Sequence, residues 1–240
     1  MSDDHDSAQR AGYGEIVVKD CYRMDKWDNN FFDNIIDIGA SMGIFVQYAH
    51  MRHYNAKIFA VEPCKEAFNH LTRDNHYFRN VTYINEALGD GSSLLFYDTG
   101  WYTVNLFFKK DETDIITDIS KTYSIDSRTL FQIFELNNIN KEDKNFIKID
   151  CEGGERFLIG DDKSIDIIKA SQGSSIEIHF QTASDKDKNH ERFKTFPKWE
   201  VYDKWIHDNF HKTHEIEYVF SSKHRGAGTY NLFKREQGLL

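Results

Sequence analysis

The sequence predicts an α/β fold: a mostly parallel sheet with helices on both faces, closed by an antiparallel hairpin. Three observations carry this. Short apolar runs alternate with amphipathic stretches along the 240 residues, the pattern of strands alternating with helices. Five such strand–helix units follow one another. The last two strands are separated only by a short turn, Arg225-Gly226-Ala227-Gly228.

The elements follow in order. Residues 1–14 are polar, with Asp3, Asp4, His5 and Asp6, and read as a flexible tail ahead of a single domain over 15–240. The first strand is Asn34–Ile38, ended by Gly39; Ile44, Phe45, Tyr48 and Ala49 then recur at helical spacing. The second strand, Lys57–Glu62, stops at Pro63, which suits a first helical position. Cys64, Ala67, Phe68 and Leu71 form the apolar face of the next helix, and Val81–Ile84 is the third strand. Residues 92–125 break the rhythm as a β-rich insert, with strands at Leu94–Tyr97, Val104–Phe107 and Thr122–Ile125. A helix covers Ser127–Asn138. The strand Phe146–Asp150 follows, then a turn into a helix ended by Gly160, then the strand Ser175–Phe180. A polar loop spans Gln181–His190, Trp199, Tyr202, Trp205 and Ile206 mark a helix, and Ile216–Phe220 and Thr229–Phe233 are the closing strands.

Composition narrows the function. A net charge of −9, from 30 basic and 39 acidic residues, disfavours binding to duplex nucleic acid, which needs a basic face. The apolar runs are far shorter than the roughly 20 residues of a membrane span. The opening residues lack the pattern of a secretory signal. Three scattered cysteines, Cys21, Cys64 and Cys151, support neither a disulfide framework nor a zinc site, so a cytoplasmic protein is expected.

Two motifs carry chemistry. Asp37-Ile38-Gly39-Ala40-Ser41-Met42-Gly43 joins a strand to a helix, where glycines let backbone approach a ligand and the helix start offers N–H donors. Glu62, at the tip of the next strand, can accept from two ribose hydroxyls. The G-x-x-x-G spacing lacks the middle glycine that a pyrophosphate requires. Asp37 would repel a pyrophosphate and could attract the amino group of S-adenosylmethionine, so the pattern favours that cofactor over NAD. The second motif, Ile147-Lys148-Ile149-Asp150-Cys151-Glu152-Gly153-Gly154-Glu155, points carboxylates into the same cleft. Glu155 reads most simply as an acid at a helix start.

Together these residues resemble the FkbM methyltransferases, within the class I S-adenosylmethionine-dependent enzymes. Asp37–Gly43 is similar to D-x-G-A-N-x-G, with Ser41 where Asn is usual. Glu62-Pro63, Ala87–Asp90, Lys148–Glu155 (K-I-D-x-E-G-x-E) and Glu177-Ile178-His179 match the family's further motifs in order. The resemblance implies a Rossmann-like sheet of seven strands and O-methyl transfer to a hydroxyl of a sugar or small-molecule scaffold. By position, Asp37, Gly39, Ala40, Ser41 and Gly43 would border the methionine part of the cofactor. Glu62 and Pro63 would meet the ribose, Glu86 and Ala87 the adenine, and Asp150 the sulfonium and the acceptor.

A hydroxyl is a weak nucleophile at neutral pH and needs a base or a metal ion. Asp150, Glu152 and His179 are the candidate catalytic residues, with Asp150 or His179 as the base. Asp150 and Glu177 are a candidate oxygen-rich Mg2+ site. His207, His211 and His214 read as a solvated run. Trp101, Tyr102, Trp199 and Trp205 could stack on a sugar but suit a core or lid. An NAD-dependent oxidoreductase and a cofactor-binding module without catalysis are the alternatives; the missing glycine and the hairpin count against the first.

Overall fold

The computed structural model describes residues 10–97, 106–108, 119–180, 196–222 and 226–235. Asn34–Ile38 and Asn145–Ile149 form β1 and β8, both buried at every position. Strands covered on two faces need near-continuous apolar runs, and these two are the sheet's centre. Lys57–Val61 (β2) and Val81–Ile84 (β3) extend the sheet on one side, and Gly173–His179 (β9) on the other, all parallel. His214–Ser222 (β10) and Ala227–Lys234 (β11) close it, with β11 antiparallel to both β9 and β10. The order is β10-β11-β9-β8-β1-β2-β3. Strand order reverses between β1 and β8, so the crevice at their carboxyl ends is the natural ligand site.

Alternation along the strands splits the core in two. Ile36, Ile38, Ile147 and Ile149 pack under helices α3 (Leu130–Leu136), α4 (Asp162–Ala170) and α5 (Trp199–Phe210). Ile35, Ile58 and Phe146 pack on the other face against α1 (Ile44–Arg52), α2 (Lys65–Asn75) and the N-terminal residues Tyr22 and Met24. That N-terminal stretch is helical from Arg10, through a π-helical turn at Gly14–Val18. A second sheet, ordered β4-β7-β5-β6, is built from Ala87–Leu88, Thr122–Arg128, Ser93–Tyr97 and Leu106–Phe108.

Several boundaries differ from expectation. α2 starts at Lys65 with Cys64 as N-cap, so Pro63 precedes the helix instead of opening it. Ser127 stays in β7, because a reciprocal capping box between Thr129 and Gln132 starts α3 only at Leu130. Beyond Gly153 the chain makes a 3-10 turn, Gly154–Leu158, and a helix not foreseen, α4, follows. Asp161 starts it by accepting the Ser164 N–H at 3.3 Å. Val104, Trp101, Tyr102, Arg225 and the loop Gln181–His190 lie outside the described residues. Among the described residues no helix is long and apolar enough to cross a membrane.

Candidate active site

The β1–α1 loop is fastened to its neighbours before any ligand is considered. The N–H groups of Gly39 and Ala40 both donate to the Val61 carbonyl, at 2.9 and 3.0 Å. Gly39 has φ +81, and a Cβ there would fall 1.8 Å from the Asp150 carbonyl oxygen. Gly43 has φ +92, and its Cβ would fall 2.5 Å from Asn75 Nδ2 on α2. Both glycines are thus required by close packing within the protein. Ser41 also adopts a left-handed conformation, φ +47. Asn tolerates that region better than Ser, which is a physical reason for Asn at this place in the motif.

Parallel pairing sets Asp37 opposite Lys148. Asp37 is fully buried, and its Oδ1 lies 3.0 Å from Lys148 Nζ. The same ammonium donates to the Gly39 carbonyl at 2.7 Å and stands 3.9 Å from Asp150 Oδ2. Burial alone would lower the lysine pKa, but Asp37 and Asp150 outweigh it and hold the ammonium above its ordinary value. The cation expected to meet Asp37 on a ligand is therefore supplied by the chain itself.

Glu62 lies at the carboxyl end of β2. Its Oε2 accepts the Ser41 N–H at 2.8 Å and its Oε1 the Cys64 N–H at 2.7 Å. Burial pushes this carboxyl up to about 7, against the two N–H donors. A carboxylate offers about four acceptor sites, so about two remain for hydroxyls. Pro63 is buried beside it. Glu86 is ion-paired with Arg128 at 3.1 Å, and Ala87 is fully buried in β4.

The second motif brings Asp150, Glu152, Glu155, Glu177 and His179 to the ends of β8 and β9. Asp150 Oδ2 accepts the Tyr22 hydroxyl at 2.7 Å. Its carboxylate remains 26% exposed. Glu155 has no exposed surface and takes three N–H groups: His179 Nδ1 at 2.9 Å, the His179 backbone at 2.6 Å and the Gly153 backbone at 2.9 Å. His179 Nε2 stands 3.4 Å from Glu152 Oε2. Burial would lower the imidazole pKa, but Glu152 and Glu155 outweigh it and hold the ring well above its ordinary value. Burial, reinforced by the Asp150 charge, pushes Glu177 up to about 8. One ligand atom each from Asp150, Glu177 and His179 lie within 4.8 Å of one another. That group is the one such cluster among the described residues, and His207, His211 and His214 do not belong to it.

Sequence reasoning missed three residues here. Glu155 was expected to serve a helix end and instead fixes His179. Lys148 was visible as a charge inside an apolar strand, but its partner emerges only from the pairing with β1. Tyr22 reaches Asp150 across 128 positions and leaves no local signal.

A sheet of this order, with its switch-point crevice lined by these two loops, defines a class I S-adenosylmethionine-dependent methyltransferase fold. The chain belongs to the FkbM methyltransferase family: the family model described as the methyltransferase FkbM domain matches residues 37–212. S-adenosylmethionine is the cofactor this membership implies. No curated protein matches the chain. Among solved structures, a candidate rRNA methylase from Clostridium thermocellum aligns over 92% of this chain and 97% of its own, with TM-score 0.50 and 9% identity. A candidate O-methyltransferase from Nostoc punctiforme aligns over 95% of this chain and 58% of its own, with TM-score 0.51 and 10% identity. At such identities the likeness is one of fold. The antiparallel β11 departs from the all-parallel sheet of the oxidoreductase alternative.

Proposed function

We propose that the chain, acting as a single methyltransferase domain, transfers a methyl group from S-adenosylmethionine to a hydroxyl of a sugar or small-molecule scaffold. The observation that carries this reading is the convergence of Asp150, Glu152 and His179 beside the loop that Glu62 anchors. The residues fit the cofactor: Glu62 keeps acceptor capacity for ribose hydroxyls, and the partly exposed Asp150 carboxylate suits a sulfonium cation.

When bound, the cofactor supplies an electrophilic methyl group on sulfur. The chain's own residues align the acceptor and remove its proton. Transfer is an in-line displacement, so holding the acceptor oxygen on axis is a large share of the catalysis. Glu62 would hold the cofactor's ribose and Asp150 would face its sulfonium, which would give up the methyl group to the acceptor oxygen and keep the electron pair of the broken bond. Asp150 already accepts the Tyr22 hydroxyl at 2.7 Å and stands 3.9 Å from Lys148 Nζ, and the His179 ring is engaged at Nδ1 by Glu155. In this reading Glu152, partly exposed and 3.4 Å from His179 Nε2, takes the hydroxyl proton in place of the Asp150 or His179 expected from the sequence. The three free thiols suit a reducing cytoplasm.

Calorimetric titration with S-adenosylhomocysteine tests the cofactor. Micromolar binding that weakens in Glu62→Ala is the expected result, and absence of binding overturns the reading. With hydroxyl acceptors, Glu152→Gln should lower turnover about 100-fold or more while S-adenosylhomocysteine affinity is retained. Unchanged turnover would remove Glu152 from the chemistry.

A further inference from the structure

We propose that Asp150, Glu177 and His179 form a divalent transition-metal site, matched best by Mn2+, at which the acceptor hydroxyl binds. The proposal rests on the O-methyltransferase reading and specifies how its acceptor is held.

The fold assembles the ligands from adjacent parallel strands. Glu177 and His179 are two residues apart on β9 and share a face. Asp150 follows the last residue of the neighbouring β8. One donor atom from each lies within 4.8 Å of the other two, so small side-chain rotations bring all three onto one ion.

The surroundings are built as a metal site's are. A ligating histidine ordinarily gives its other ring nitrogen to a carboxylate, which fixes the ring and its tautomer. Here Glu155 takes His179 Nδ1 at 2.9 Å and also its backbone N–H at 2.6 Å, and Glu155 is itself fully buried. The ring is pinned through Nδ1, so Nε2, which stands 3.4 Å from Glu152 Oε2, is the nitrogen that would ligate. Asp150 is likewise held through Oδ2 by the Tyr22 hydroxyl at 2.7 Å. Ligating carboxylates are fixed in the same way.

The donor set selects the ion. Asp150 and Glu177 alone offer only oxygen, which suits Mg2+. Carboxylates suit Mn2+ as well as Mg2+, and an imidazole nitrogen favours a transition metal, so Mn2+ is the ion common to both preferences. Three protein ligands leave positions open for the acceptor oxygen. The ion replaces the proton on Nε2, so a positive charge stays among the carboxylates. It holds the hydroxyl oxygen and eases loss of its proton, which passes to Glu152, whose Oε2 borders Nε2 at 3.4 Å. The bonds made and broken are those of methyl transfer to oxygen.

The test adds Mn2+ to the metal-free, S-adenosylhomocysteine-loaded protein and follows the loss of the free-ion electron paramagnetic resonance signal, with calorimetry for stoichiometry. One bound Mn2+ per chain is expected, not displaced by tenfold excess Mg2+. Glu177→Gln and His179→Gln should each weaken Mn2+ at least tenfold, and Glu155→Gln by about 10- to 100-fold through its effect on His179. Retained S-adenosylhomocysteine binding identifies the variants that are folded. Absence of bound Mn2+ in the loaded wild-type protein, or equal affinity in the folded variants, overturns the metal site and leaves the methyltransferase reading standing. If the protein cannot be loaded with S-adenosylhomocysteine yet binds Mn2+ without it, the methyltransferase reading falls and the site stands.

Discussion

Glu62→Gln should gain stability relative to the wild-type protein as pH rises, and bind the cofactor less well. Burial pushes the Glu62 carboxyl from its ordinary 4.5 up to about 7. A raised carboxyl pKa means that the native chain holds a proton the unfolded chain has already lost. Native stability therefore falls as pH rises through the window from about 4.5 to 7. Integrated from pH 5 to 8, this amounts to about 2.5 kcal/mol. Gln does not titrate. The stability of the variant minus that of wild type should thus rise by about 2–3 kcal/mol between pH 5 and 8. This holds whatever constant offset arises from its amide facing the N–H of Ser41 or Cys64. Urea unfolding of the cofactor-free proteins at both pH values measures it. Loss of a charged acceptor should weaken S-adenosylhomocysteine about tenfold. A difference between the two proteins that does not change with pH would refute the burial argument, and unchanged affinity would remove Glu62 from the ribose site.

Other perturbations follow from the same geometry. Lys148→Met leaves Asp37 buried without a cation and should cost about 3–5 kcal/mol in urea unfolding. Adding Asp37→Asn should recover much of that loss, and full additivity of the two changes would show that the pair does not interact. Gly39→Ala must fit a methyl group against the Asp150 carbonyl, so a loss above about 4 kcal/mol or no folded protein is expected; near wild-type stability would contradict the packing. His53 is fully buried with neither ring nitrogen hydrogen-bonded, and burial lowers its pKa to about 4. The stability tied to its neutral ring is present above pH 6.5 and lost as pH falls toward 4. His53→Leu should therefore lose about 3 kcal/mol less than wild type on acidification to pH 4, as followed by circular dichroism. The half-exposed Arg23–Glu217 pair should matter little: Arg23→Ala should change stability by less than about 1 kcal/mol, and by still less in high salt.

How much of this was legible in the sequence depends on whether the cause is local. β1, β2 and β8 were visible because strands buried on both faces need near-continuous apolar runs, here interrupted by few polar residues. The closing hairpin was visible because its turn carries glycines. α4 was not, because its three isoleucines, Ile165, Ile167 and Ile168, span only four residues, too short a run to show a helical period. Within the site, Asp37, Glu62, Asp150 and His179 stand at strand ends, where motif spacing shows them. The partners that set their charge do not. Lys148 meets Asp37 only through strand register, Glu155 meets His179 across a turn and a helix, and Tyr22 arrives from the N-terminal stretch. Spacing locates a site's groups, while their protonation depends on contacts that exist only in the folded chain.

The contact between Gly39 and the Asp150 carbonyl bears on how this chain can be recombined. Two loops far apart in sequence share a boundary too narrow for one methyl group. A chimera that takes the first loop from one relative and the second from another inherits two halves of a fit that were never shaped together. Exchange of acceptor-binding segments between relatives should keep both loops from one parent and place its crossovers outside them, in the second sheet or beyond β9.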